Sequence, residues 1–241
     1  MLNVTGLPRS CVRALLVLTL LTGVLTGCES NPFLRRQATE AISANDLGKA
    51  ERVLTQAIQQ RPGDGLSQYL LGTVRLKQNR NLDAQLHLER AWTLLHGQPL
   101  RADEIDPVPA VLDALAESIY RQNANAALIA MLQNSASEYG KSRDFVRQAE
   151  YLLKIHDVDG AKLAFRKAAR LSDLDDEQPY LRLAELFESL GDKENTVASL
   201  RIAYGIKPNS PRIIAWLAKY GVQAAPGVEI APDRSDVLPK K

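Results

Sequence analysis

Residues 69–91 read YLLGTVRLKQNRNLDAQLHLERA, two helices and a turn in one line. Tyr69-Leu70-Leu71-Gly72 starts the first helix, and Asn79 and Asn81, residues suited to turn conformations, break it. Ala84, Leu88 and Ala91 then follow at spacings of four and three, which puts all three on one face of a second helix. Small residues on such a face let two helices approach closely. A helix pair this short cannot bury its apolar faces alone, so the stretch calls for neighbours of the same kind.

Those neighbours recur at a fixed interval. Ala50 and Ala84 are 34 residues apart, as are Ala57 and Ala91. Leu54 and Pro62 complete the earlier second helix, with Leu34 and Ala38 on the first. Downstream, Phe145, Ala149 and Leu152, then Ala161, Phe165 and Ala168, restate the pattern with Gly160 just ahead of the second helix. A last copy follows at Tyr180, Leu183-Ala184, Phe187, Gly191, Leu200, Ala203 and Pro208, with Thr196 where the first alanine stands elsewhere. Residues 107–140 have the length for one more pair, with Leu115-Ala116 and Tyr120 on a first helix and Ala127, Met131 and Leu132 on a second. Asn123 and Asn125 supply its turn, but no alanine triplet marks it, and its register stays open by a residue or more. Residues 98–109 read as an extended loop, and 210–220 (Ile213, Ile214, Leu217) as a closing half-repeat. The segment 221–241 has too little apolar content to pack and reads as a disordered tail.

The recurrence resembles the tetratricopeptide repeat: a large residue, Leu-Gly, later an alanine, a bulky apolar residue, another alanine and a helix-ending proline. It covers residues 31–220, although no copy carries the family's Trp at its usual place. The resemblance implies an all-α fold, a right-handed α-solenoid of about five antiparallel helix pairs plus a C-terminal capping helix. A plain helical bundle with Ala/Leu stripes is the alternative. By resemblance, the first helices line a concave groove that takes extended or helical segments of other proteins, with groove residues five and nine places into each repeat. Those places hold Arg35 and Thr39, Tyr69 and Thr73, Asp113 and Glu117, Val146 and Glu150, and Leu181 and Glu185. The Lys/Asn clamp that some relatives use for a C-terminal carboxylate is absent. Glu117, Glu150 and Glu185 recur at equivalent places, which predicts an acidic later groove and a partner presenting basic or mixed residues. A solvated face with chance repetition is the plainer reading.

The first 27 residues read as a secretory signal: Arg9 and Arg13 without an acid, an apolar run over 14–25, then small residues. The run is shorter than the roughly 20 residues a membrane-spanning helix needs. Leu25-Thr26-Gly27-Cys28 resembles the bacterial lipobox, in which cleavage precedes a diacylated cysteine. That resemblance predicts a lipidated terminus over 28–30, attached at Cys28 and effectively permanent at about 0.8 kcal/mol per buried methylene. An ordinary signal with an incidental cysteine is the alternative. Glu29, where an Asp favours inner-membrane retention in enterobacteria, points to the periplasmic face of the outer membrane. Removing residues 1–27 takes the formal charge from +2 to 0 and leaves Cys28 as the only cysteine. No basic excess then speaks for nucleic acid, and packing, not disulfides, has to hold the fold.

Motifs for catalysis, cofactors or metal are not found. There is no Gly-rich phosphate loop, Gly-x-Ser-x-Gly elbow or paired-His site, and His87, His96 and His156 are scattered. His87 reads as a surface residue. The run Asp173, Asp175, Asp176 and Glu177 lacks a calcium loop's central Gly and reads as a solvated linker favouring the next helix N-terminus. Trp92 and Trp216 lie on apolar stripes, which favours packing between repeats over partner anchoring. The expected role is a membrane-anchored adaptor for protein partners in a bacterial envelope, assisting an envelope, pilus or secretion assembly. An accessory subunit regulating an envelope enzyme, such as one acting on peptidoglycan, is the rival, and an enzyme in its own right the third.

Overall fold

The computed structural model describes residues 31–100 and 103–232; the leader and Cys28 lie outside the described residues. Among the described residues there are eleven helices and no strand. They are α1 (Asn31–Ser43), α2 (Leu47–Gln60), α3 (Gly65–Lys77), α4 (Asn81–Leu95), α5 (Val108–Tyr120), α6 (Asn125–Tyr139), α7 (Ser142–Lys154), α8 (Val158–Leu171), α9 (Gln178–Ser189), α10 (Lys193–Ile206) and α11 (Pro211–Lys219). Consecutive helices pair, from α1/α2 to α9/α10, and α11 closes the series against α10. The core is strung along the stack: Leu34, Leu54 and Leu71 at one end, Leu88, Leu115 and Leu132 in the middle, Phe165, Leu200 and Leu217 at the other. Pairs in series, not a bundle around one centre, bury these side chains.

One turn is built five times. Counting places from residues 31, 65, 109, 142 and 177, the fifteenth is Asn45, Asn79, Asn123, His156 or Gly191, and each has a left-handed φ between 55° and 72°. The next amide donates to the carbonyl five residues back, as in Asp46 to Ala41 at 2.8 Å and Asp192 to Phe187 at 2.9 Å. This is the Schellman end of a helix, and Asn is the side chain that best tolerates it after glycine. Asp46, Asp157 and Asp192 then cap the second helices, accepting from the amides of Lys49, Gly160 and Asn195, at about 1 kcal/mol each. Gly160, expected ahead of its helix, thus lies inside α8.

Small buried residues set the spacing within pairs. Ala38, Gly72, Ala116, Ala149 and Ala184 at place eight are buried, as are Leu54, Leu88, Leu132, Phe165 and Leu200 at place 24. A Cβ at Gly72 would stand 2.6 Å from Leu88 Cγ and 3.3 Å from the Ala84 carbonyl. The third pair differs. Its buried stripe is Leu128, Leu132 and Ser135, while Ala127 is exposed and Met131 only half-buried, so the expected stripe was a residue out of register. Leu128 takes the place that Ala50, Ala84 and Ala161 hold elsewhere, and α5 and α6 pack less closely than the helices of the other pairs.

The chain does not leave the fold at residue 220. Arg201 Nε donates to the Val228 carbonyl at 2.5 Å, Ile230 N to the Arg201 carbonyl at 3.4 Å, and Val222 and Ala224 pack on the last core cluster. Residues 221–232 therefore run back along α10, where the sequence reading expected a disordered tail.

Candidate functional site

The first helices of successive pairs touch directly, α1 with α3, α3 with α5 and α5 with α7, whereas no second helix makes comparable contact with the next. Pairs that close up along one side open along the other, so the first helices form the concave face.

Ion pairs and hydrogen bonds staple that face at its junctions. Arg35 of α1 reaches Asp64, the cap of α3, at 2.5 Å, and Asn31 Nδ2 donates to the same carboxylate oxygen at 2.8 Å. Burial alone would raise the Asp64 carboxyl, but its bonds from Asn31 and Ser67 and the charge of Arg35 hold it below the ordinary value. Arg121 Nη1 crosses from α5 to the Leu76 carbonyl of α3 at 3.2 Å. Arg147, buried in α7, bonds Asp113 of α5 and, at 2.9 Å, Asp144. Glu117 meets Lys154 at 3.1 Å, Glu150 meets Arg182 at 3.4 Å, and Glu185 meets Arg212 at 2.8 Å. Glu188 closes the series: its Oε1 accepts from Lys219 Nζ at 2.8 Å, Tyr220 OH at 2.5 Å and Trp216 Nε1 at 3.1 Å, which lowers its carboxyl to about 2.

The structure therefore places the expected groove residues with different fates. Arg35 is tied to Asp64. Tyr69 is half-buried, its hydroxyl pushed up by burial and by the charge of Asp113, and Thr73 Oγ1 donates back to the Leu70 carbonyl at 2.7 Å. Leu181 is 2% exposed and belongs to the core. Glu117, Glu150 and Glu185 all face the concave side, but each is answered by a cation of the next repeat. The predicted acidic groove is thus corrected to a ladder of neutralised carboxylates. His87, expected at the surface, is half-buried with Nδ1 2.8 Å from Gln68 Oε1, and burial pulls its pKa down. Trp92 and Trp216 each bridge repeats, Trp92 through Nε1 to Tyr139 OH at 2.9 Å.

Sequence reasoning missed the basic row at place thirteen, Lys77, Arg121 and Lys154, at the C-terminal ends of α3, α5 and α7. Arg121 Nε donates to Glu117 Oε1 at 2.7 Å, while Lys154 Nζ and Tyr151 OH, at 3.1 and 3.0 Å, occupy Oε2. Burial would raise the Glu117 carboxyl, and these donors outweigh it and lower it. Lys154 also stands over the Tyr151 ring at 4.1 Å and the Tyr120 ring at 5.0 Å, and Tyr151 itself is buried, its hydroxyl pushed well up by burial and by Glu117. A recess of about 730 Å³ opens away from this row, at the N-terminal ends of α7 and α9, lined by Asp113, Arg143, Val146, Glu150 and Gln178. Among the described residues, no group of three His, Cys, Asp or Glu is placed to hold a metal ion, and no helix is long and apolar enough to cross a membrane.

Solved structures share this architecture. The C-terminal part of a TPR repeat-containing protein from Cytophaga hutchinsonii superposes with a TM-score of 0.54 at 13% identity, over 76% of this chain and 69% of that one. The fold is a tetratricopeptide-repeat solenoid. PilW, a widely conserved type IV pilus biogenesis factor, matches with a TM-score of 0.53 at 12% identity, over 81% of this chain and 89% of its own. Pseudomonas aeruginosa pilF matches at 0.51 with 14% identity, over 79% and 82%. No protein-family model and no curated relative matches the sequence.

Proposed function

We propose that this tetratricopeptide solenoid is a scaffold that holds other proteins in its concave face, tethered to the bacterial envelope through a lipid on Cys28. The observation that carries the reading is that the first helices of the first four pairs pack directly on one another along one side of the stack. Such a face presents side chains from every repeat to one extended or helical partner segment. Its titratable groups are largely engaged in pairs that hold repeats together, an arrangement suited to a rigid platform. The tether rests on Leu25-Thr26-Gly27-Cys28 following an apolar run, with Glu29 favouring the periplasmic face of the outer membrane. The shared fold of a type IV pilus biogenesis factor supports a place in envelope, pilus or secretion assembly.

Crosslinking in intact cells, followed by affinity capture and mass spectrometry, tests the scaffold; discrete envelope proteins crosslinked to first-helix positions are expected. Membrane fractionation of Cys28→Ala tests the tether, the expected result being release of the mature chain from the membrane pellet. Turnover by the pure, partner-free protein, or a variant that stays membrane-bound, would overturn the corresponding half.

A further inference from the structure

Resting on the scaffold reading, we infer that the middle of the concave face, at the ends of α3, α5 and α7, docks an acidic segment of the partner protein. Three cations, Lys77, Arg121 and Lys154, stand there in a row at the same place of successive repeats, and two of them share one carboxylate. Arg121 reaches the Leu76 carbonyl beside Lys77, and Arg121 and Lys154 share Glu117. Both oxygens of Glu117 are filled by Arg121, Lys154 and Tyr151, and its one negative charge leaves the three cations a formal excess of two. The cations are available: Lys77 is exposed, and the Arg121 and Lys154 side chains are 40% and 41% exposed. Arg121 and Lys154 are also held in place, Arg121 by Glu117 and the Leu76 carbonyl, Lys154 by two tyrosine rings and a carboxylate, so little of their side-chain freedom is lost on binding. Neighbouring cations such as Arg182 and Arg212 are instead matched by Glu150 and Glu185.

The patch lies where α5 meets α7, with buried Tyr151 as its floor. A peptide side chain can enter such a concavity, and a flat membrane surface cannot. Aspartates or glutamates on an extended segment would meet the exposed faces of Lys77, Arg121 and Lys154 in turn, while the tyrosine rings shield those contacts from water. Attraction of this kind sets encounter rate and selectivity and weakens with salt.

The test uses the purified full chain in nonionic detergent and a short fluorescent peptide alternating Glu and Ser, read by anisotropy. Binding at low salt is expected to exceed that of a Gln/Ser counterpart and to weaken as salt rises. Lys77→Gln with Lys154→Gln should lower affinity about tenfold, Glu117→Gln should tighten it, and Lys162→Gln on α8 should leave it unchanged, with thermal melts confirming each fold. Equal binding of both peptides, or undiminished binding by the double variant, overturns the inference. Adsorption to phosphatidylglycerol vesicles that the double variant loses, without peptide binding, also overturns it and reassigns the patch to lipid. Crosslinked partners that avoid this patch sink the inference and leave the scaffold standing; no crosslinked partner at all sinks the scaffold.

Discussion

Leu128 is the residue at which alanine, the type found at the same place in three other repeats, is expected to be harmful. It is fully buried between α5 and α6. Leu128→Ala removes three carbons, a transfer loss of about 2.4 kcal/mol at ~0.8 kcal/mol each. A residual hole of ~40 Å³ adds about 1 kcal/mol at ~24 cal/mol per Å³, for a total near 3 kcal/mol. That sum holds only if the pair keeps the wider spacing that Leu128 sets. Were α5 and α6 free to close up as the other pairs do, the cavity part would vanish and the cost would fall to about 2.4 kcal/mol. The converse change, Ala84→Leu, forces bulk into the pair where Gly72 already leaves no room for a Cβ, at about 1–3 kcal/mol. Urea unfolding followed by far-UV circular dichroism measures both. Trp92, whose ring lines the crevice between α4 and α6, reports the local event, and in Leu128→Ala its transition should precede the global one, because stacked repeats can uncouple. A neutral or stabilising Leu128→Ala would refute the claim that this side chain sets the spacing.

His156 is the one fifteenth-place residue that is neither Asn nor Gly, at φ 66°. His156→Gly should stabilise by about 0.5–1 kcal/mol, the relief of left-handed strain less the entropy of glycine, and an unchanged or lower urea midpoint would contradict this. Glu188, lowered in the fold to about 2 from an ordinary 4.5, contributes stability that is whole above the unfolded value and lost as pH falls towards about 2. Trp216 emission in a Trp92→Phe background should therefore report α11 loosening across that window. Glu188→Gln should remove the acid transition, and a transition that survives the change would exclude Glu188 as its source.

The helix pairs were legible because their signal is smallness at fixed intervals: Ala50, Ala84 and Ala161 announce closest approach whatever surrounds them. The third pair failed on the same physics, since it meets that place with Leu128 and later with Ser135, and neighbouring Ala127 and Met131 then looked like the stripe. The tail misled for another reason. Its hold on α10 comes from Arg201, whose side chain reaches the Val228 carbonyl and whose own carbonyl accepts from Ile230 N, and from two small apolar contacts, too little to register as composition.

The groove's charge could not be read from recurring glutamates alone. Lys154 answers Glu117 from place thirteen, Arg182 answers Glu150 from place six, and Arg212 answers Glu185 from the second residue of the capping helix. With no constant offset, pairing of this kind has no signature along the chain and exists only once the repeats nest. The basic row does have a constant offset: Lys77, Arg121 and Lys154 all stand at place thirteen. It stayed hidden because the resemblance directs attention to places five and nine alone, while the one large residue at a small-residue place, Leu128, concealed the spacing of α5 and α6.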